Sequence, residues 1–318
     1  MEINGKRLAI IGVFAVVAAC VIYFYFFARQ GGPREMANTN NAGATRAIIK
    51  IVAAENFYGN IASQLGGDKV TVKSIISNPN VDPHEYESSV EDGISIAKAG
   101  IVIKNGLQYD TWINKMLAAS PNPGRIVITA GEIAPKPLPG NPHVWYGADN
   151  IEAVAKAVTG ALIKADPSDK AVFESNLALF QSSLAPIRAK MNAIKLKYSG
   201  TPVGLTETIC MYQTRPMGLR VLTPFNFEKA VAEGNDPSAA DVATANNQIN
   251  NKEIKILIYN SQTVTPITTN LLGAARAHGI PVVAVSETMP SGYTYQNWML
   301  AELNAIEKGL FAARAAGH

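Results

Sequence analysis

The residues able to carry chemistry are few, and their placement is informative. Two of the four histidines follow a proline. His84 lies in Asn80-Val81-Asp82-Pro83-His84-Glu85-Tyr86-Glu87, and His143 in Gly140-Asn141-Pro142-His143-Val144-Trp145. A preceding proline restricts the backbone, which suits an imidazole that must be preorganised, although either residue alone also reads as an ordinary loop histidine. His278, in Ala-Arg-Ala-His-Gly-Ile-Pro, reads as a helix end closed by Gly279, and His318 is the last residue. The second half of the chain contains an echo. Pro202-Val203-Gly204-Leu205-Thr206-Glu207 and Pro281-Val282-Val283-Ala284-Val285-Ser286-Glu287 are both apolar runs ending in a hydroxyl residue and a glutamate. In open parallel sheets ligands bind beyond the carboxyl ends of strands, so Glu207 and Glu287 can face one cleft; both can equally cap following helices. Two neutral imidazoles and two carboxylates make a doubly anionic, four-ligand set that a divalent transition metal neutralises. The oxygen half suits Mn²⁺ or Zn²⁺ rather than Cu⁺, and Mg²⁺ or Ca²⁺ seldom selects two histidines. Four protein ligands leave little room for an activating water, which favours holding a metal over catalysis with it.

These residues need a scaffold that brings distant segments together. From residue 46 onward apolar runs alternate with helical periodicity, the signature of α/β architecture. Strands are expected at 48–53, 70–76, 101–104 and 126–129, and a second set at 203–206, 220–222, 254–259 and 282–285. Capping patterns at Ser88-x-x-Glu91 and Ser238-x-x-Asp241 mark helix starts, and a last helix is expected over 295–315. Asp166-Pro167 opens the most regular segment. There Phe173, Leu177, Phe180, Leu184, Ile187, Met191, Ile194 and Tyr198 recur at spacings of four and three. That stripe predicts one long linking helix over 166–200, kinked near 182–186 by Pro186. The expected organisation is an N-terminal segment 1–45, an α/β lobe 46–165, the linking helix 166–200 and a second α/β lobe 201–318. Two lobes imply a cleft.

The 318 residues are 47% hydrophobic and 17% charged, enough for a packed core and unlike a disordered chain. Net charge is +3, of which residues 1–45 carry +2. A nearly neutral body lacks the electrostatic footprint of nucleic-acid binding. Residues 8–28 carry no charge over 21 positions and follow Lys6 and Arg7, as in an export signal or membrane anchor. Val17-Ala18-Ala19-Cys20 also looks like a lipobox, which would lipidate Cys20, but the run continues apolar beyond it. Either reading places the body outside the cytoplasm, tethered through residues 31–45 to the membrane.

With these residues assembled, the chain resembles the metal-binding proteins of ABC importers, the ZnuA/TroA-like solute-binding family for zinc and manganese. The matching segments include Ile51-Val52-Ala53-Ala54-Glu55-Asn56-Phe57-Tyr58-Gly59, Asp82-Pro83-His84-Glu85-Tyr86-Glu87, Asn141-Pro142-His143-Val144-Trp145, Pro237-Ser238-Ala239-Ala240-Asp241 and Val285-Ser286-Glu287-Thr288. The resemblance implies two α/β lobes bridged by a long helix, an interlobe site for Zn²⁺ or Mn²⁺, and delivery to a membrane permease with a cytoplasmic ATPase. It carries the ligand positions onto His84, His143, Glu207 and Glu287. At the fourth position the family usually has Asp, so Glu287 adds a methylene, and Thr208 stands where many members have Pro. The His- and Asp-rich loop of many zinc-specific members is missing. A monomer is expected. The competing readings are an extracellular metalloenzyme of hydrolase type, for which no His-Glu-x-x-His motif is present, and a binding protein for an organic solute or an adhesion module on the same scaffold.

Overall fold

The computed structural model describes residues 48–78 and 86–317. His84, Cys20, the apolar run 8–28 and His318 lie outside them. Among the described residues no helix is long and apolar enough to cross a membrane.

Eight strands form where the apolar runs predict them. β1 (Ile49–Glu55), β2 (Val70–Ile76), β3 (Ile101–Lys104) and β4 (Ile126–Thr129) make a parallel sheet of order β2-β1-β3-β4. β5 (Pro202–Leu205), β6 (Arg220–Val221), β7 (Ile256–Asn260) and β8 (Val282–Val285) make a second one, β6-β5-β7-β8. The runs are apolar without alternation because helices cover both sheet faces, as parallel sheets require. Registers such as Ile51 beside Val72 and Ile101, and Val203 beside Ile256, stack β-branched side chains across the sheets. Each order reverses once, between β1 and β3 and between β5 and β7. At those switch points neighbouring loops leave in opposite directions and open a crevice at the strands' carboxyl ends.

The linking segment differs from a single kinked helix. After a 3₁₀ turn at Pro167–Asp169 come two helices, Lys170–Ser183 and Ala185–Tyr198, with a break at Leu184. Pro186 lies in the first turn of the second helix, where its missing N–H costs nothing; it therefore starts a helix rather than bending one. The stripe still buries Phe173, Phe180, Leu184, Ile187, Ile194 and Tyr198. Ser89, not Ser88, caps the helix Val90–Lys98 in a reciprocal box with Asp92. In the first turn of helix Ala148–Ala165, Asp149 pairs with Arg188. Ser238 and the helix Tyr295–Ala315 match the expected positions.

One apolar core runs through both halves, from Ile51 and Phe57 through Trp145, Phe180 and Leu184 to Val203, Trp298 and Leu310. Continuous packing of this kind resists large hinge motion, because separating the halves would expose it.

Candidate metal site

His143, Glu207 and Glu287 offer ligand atoms that all lie within 4.8 Å of one another, although 64 residues separate the first two and 80 the last. All three side chains are fully buried. Glu207 and Glu287 come from beyond the carboxyl ends of β5 and β8, and His143 from the first half.

His143 stands before the 3₁₀ turn Val144–Tyr146, and Asn141 sets its ring. The Oδ1 of Asn141 accepts from the His143 backbone N–H at 2.9 Å and faces Nδ1 at 2.9 Å. An amide oxygen only accepts, so Nδ1 carries the proton of the neutral ring and Nε2 is the acceptor. Nε2 lies 3.5 Å from Oε1 of Glu287. Thr208, at the position where proline is common in the resembled family, contributes Oγ1 at 3.3 Å from Nδ1 and a backbone carbonyl to the Asn141 amide at 2.7 Å.

Glu207 and Glu287 each follow a strand end with one residue between, Thr206 after β5 and Ser286 after β8. Neither caps a helix: the next helices begin at Met211 and Tyr295. Neither carboxylate oxygen of Glu207 has a well-formed hydrogen bond among the described residues, although the Asn260 amide and the Thr263 hydroxyl lie near enough to pull its pKa down. Burial, followed by the field of the Glu287 carboxylate, pushes the Glu207 carboxyl well above its usual range. Such a group is costly unless something positive or a proton occupies the space before it.

Glu287 is held from several directions. Gln262 Oε1 accepts from the backbone N–H groups of Glu287 and Thr288 at 2.6 and 3.0 Å. Glu302 Oε1 accepts from Ser286 N at 2.9 Å. Burial pushes the Glu302 carboxyl up to about 7, against the pull of its bonds from Ser286, Tyr146 and Trp298. The Asn260 amide donates to Glu287 Oε1 at 2.8 Å, and the Tyr109 hydroxyl to Oε2 at 2.9 Å.

Sequence reasoning missed Tyr109, Asn260 and Asn141. Tyr109 comes from the loop after β3, where Gly106, Leu107 and Gln108 all take positive φ (76°, 54° and 69°). Two consecutive non-glycine residues there are strained, and Asp110 holds the loop by accepting from Asn105 N and Gly106 N. Asn105-Gly106 was the available signal for a turn, but not for where it would aim the next aromatic ring. Asn260 ends β7, at the switch point beside Glu207.

Several bonds join the two halves around the site. Asn56 donates to and accepts from the backbone of Met289 at 2.6 and 3.1 Å. Tyr146 donates to Ser286 O at 2.8 Å, and Tyr295 to Trp145 O at 2.7 Å. His278 lies far in sequence from this site, at a helix end with Nδ1 against Ala274 O, in the structural role expected for it.

Two halves built on parallel sheets bring an imidazole and two carboxylates together. The family model described as zinc-uptake complex component A, periplasmic, matches residues 51–309, and the chain belongs to that family. The manganese ABC transporter substrate-binding lipoprotein PsaA of Streptococcus pneumoniae is 30% identical over 146 residues, covering 41% of this chain and 46% of PsaA. The iron-binding protein YfeA of Yersinia pestis is 26% identical over 144 residues, 43% of this chain and 46% of YfeA. The chain thus spans about half the length of the curated relatives it matches. The periplasmic zinc-binding protein TroA of Treponema pallidum superposes with a TM-score of 0.72 at 19% identity, over 83% of this chain and 99% of TroA, which shows the shared fold.

Proposed function

We propose that this protein captures a divalent transition metal, Zn²⁺ or Mn²⁺, outside the cytoplasmic membrane and hands it to an ABC-type importer. The observation that carries the reading is the convergence of His143, Glu207 and Glu287 within 4.8 Å in a fully buried site. In the neutral tautomer, the lone pair on His143 Nε2 lies 3.5 Å from the Glu287 carboxylate. Acceptors turned toward one another mark the place of a cation. His84 is the proposed fourth ligand, on the strength of its Asp-Pro-His-Glu-Tyr-Glu context, and its loop lies outside the described residues. The relatives' printed names, manganese, iron and zinc among them, support a transition-metal cargo without choosing one.

The reading is capture rather than chemistry on a substrate. Handover would go to a permease with a cytoplasmic ATPase, in keeping with PsaA's description as an ABC transporter component. The apolar run 8–28, or a lipid on Cys20, would tether the body beyond the membrane. Residues 46–165 and 201–318 act as lobes on either side of the linking segment 166–200. The ligands of the first lobe meet those of the second, so shifting the Glu287 loop opens the shell for release. Isothermal titration of metal-free protein with Zn²⁺ and Mn²⁺ tests the reading. It expects one ion per chain, lost in His143→Ala; absence of binding by either ion removes the proposal.

A further inference from the structure

Resting on that metal-binding reading, we propose that Tyr109 holds Glu287 to a single metal-facing oxygen and thereby biases the site against ions that favour high coordination numbers. Glu287 presents its two oxygens differently. Oε1 lies 3.5 Å from His143 Nε2 and thus faces the other ligands. Oε2 is engaged by the Tyr109 hydroxyl at 2.9 Å. A carboxylate whose outer oxygen accepts a phenol proton is turned so that only the inner one reaches an ion in the site. Asn260 restrains the same rotation through Oε1 at 2.8 Å.

Tyr109 itself is rigidly presented. Its ring packs on Trp145 with centroids 4.9 Å apart, and it is almost fully buried. The positive-φ residues Leu107 and Gln108 aim it across the cleft from the half opposite Glu287. The hydroxyl therefore acts only when the halves are together, so it sets Glu287 denticity in the closed form. A single-oxygen Glu287 keeps the coordination number low. That suits the tetrahedral preference of Zn²⁺ more than the six-coordinate, oxygen-rich preference of Mn²⁺. The longer arm of glutamate is what lets its outer oxygen reach Tyr109 while the inner one stays in the site.

The test is Tyr109→Phe, which keeps the ring packing and removes only the donor. Competition titrations against a chelator give the Mn²⁺ and Zn²⁺ affinities of wild type and variant, and X-ray absorption counts the oxygen neighbours. The variant should raise the Mn²⁺-to-Zn²⁺ affinity ratio about 10-fold, the lower end of what losing a ligand-orienting partner does, and gain one oxygen neighbour. A merely structural tyrosine would weaken both metals equally, and an unchanged ratio with an unchanged shell overturns the inference. Should the variant fail to fold, Co²⁺-loaded wild type serves instead. Intense visible bands of a four-coordinate site support the inference, and the weak bands of a six-coordinate site refute it. Wild type that binds no metal sinks the metal-binding reading, whereas wild type that binds with an indifferent variant sinks only the role of Tyr109.

Discussion

Glu207→Gln separates a ligand site from a structural ion cluster most cleanly. In the metal-free protein the Glu207 carboxyl is fully buried, lacks a well-formed hydrogen bond among the described residues and sits beside Glu287. Leaving a buried polar group unsatisfied costs about 1–3 kcal/mol, and more when it is charged. Glutamine removes the ionisable group at nearly constant volume and offers an amide donor to the Glu287 carboxylate. Metal-free Glu207→Gln should therefore be more stable than wild type by about 1–3 kcal/mol, which moves Tm by roughly 2–4 °C per kcal/mol in a chain of this size. The metal response should run the other way. Wild type at 100-fold excess over Kd gains about 2.7 kcal/mol from the ion, and the variant should gain little. Differential scanning calorimetry at pH 7.5, with and without Zn²⁺, reads both effects. A variant less stable than wild type without metal, and still stabilised by it, would refute the assignment, because Glu207 would then be a supporting residue with partners of its own.

Other consequences follow from the same geometry. Metal uptake should expel a proton: the Glu207 pKa is raised, so below its raised value the metal-free site holds a proton that the ion must displace. Affinity should then weaken as pH falls, with His protonation adding below about 6.5, and titrations in buffers of different ionisation enthalpy will count the protons. The metal-free fold should lose stability as pH rises. A folded carboxyl pKa raised above its unfolded value stabilises fully at pH below the unfolded value and loses that contribution on the way up to the folded one. For Glu302 the loss runs from about 4.5 to about 7, and Glu302→Gln should flatten the Tm–pH profile there. Asn56→Ala removes both bonds to Met289, on the loop that carries Glu287. With about 1–2 kcal/mol lost from the closed form, stopped-flow chelation should show metal leaving roughly 5- to 30-fold faster, while the circular dichroism spectrum stays unchanged.

Much of the fold could be read from the chain because parallel strands buried on both faces are simply apolar runs, so Ile101–Lys104, Ile126–Thr129 and Val282–Val285 fall where the sequence places them. Glu207 and Glu287 were legible through the strand-end echo, and His143 through its Pro-His context. Choices between adjacent residues were not. Ser88 and Ser89 both precede an acidic residue at the capping spacing, and Ser89 prevails because Asp92 is also bonded by Tyr86 and lies 3.5 Å from Lys73. The break at Leu184 escaped a periodicity that continues across it, since the buried stripe is the same for one helix or two. Tyr109 and Asn260 were invisible for another reason. Neither is charged, and each acts through a partner 178 or 27 residues away that only the folded sheets bring near.

The central claim is that one divalent ion sits among His84, His143, Glu207 and Glu287. Elemental analysis of full-length protein equilibrated with equal Zn²⁺ and Mn²⁺, for wild type beside His84→Ala, His143→Ala and Glu287→Ala, tests it directly. One tightly held ion per wild-type chain, lost from all three folded variants, is the predicted result. An ion that survives every substitution, or a wild type that leaves the column metal-free, would contradict it.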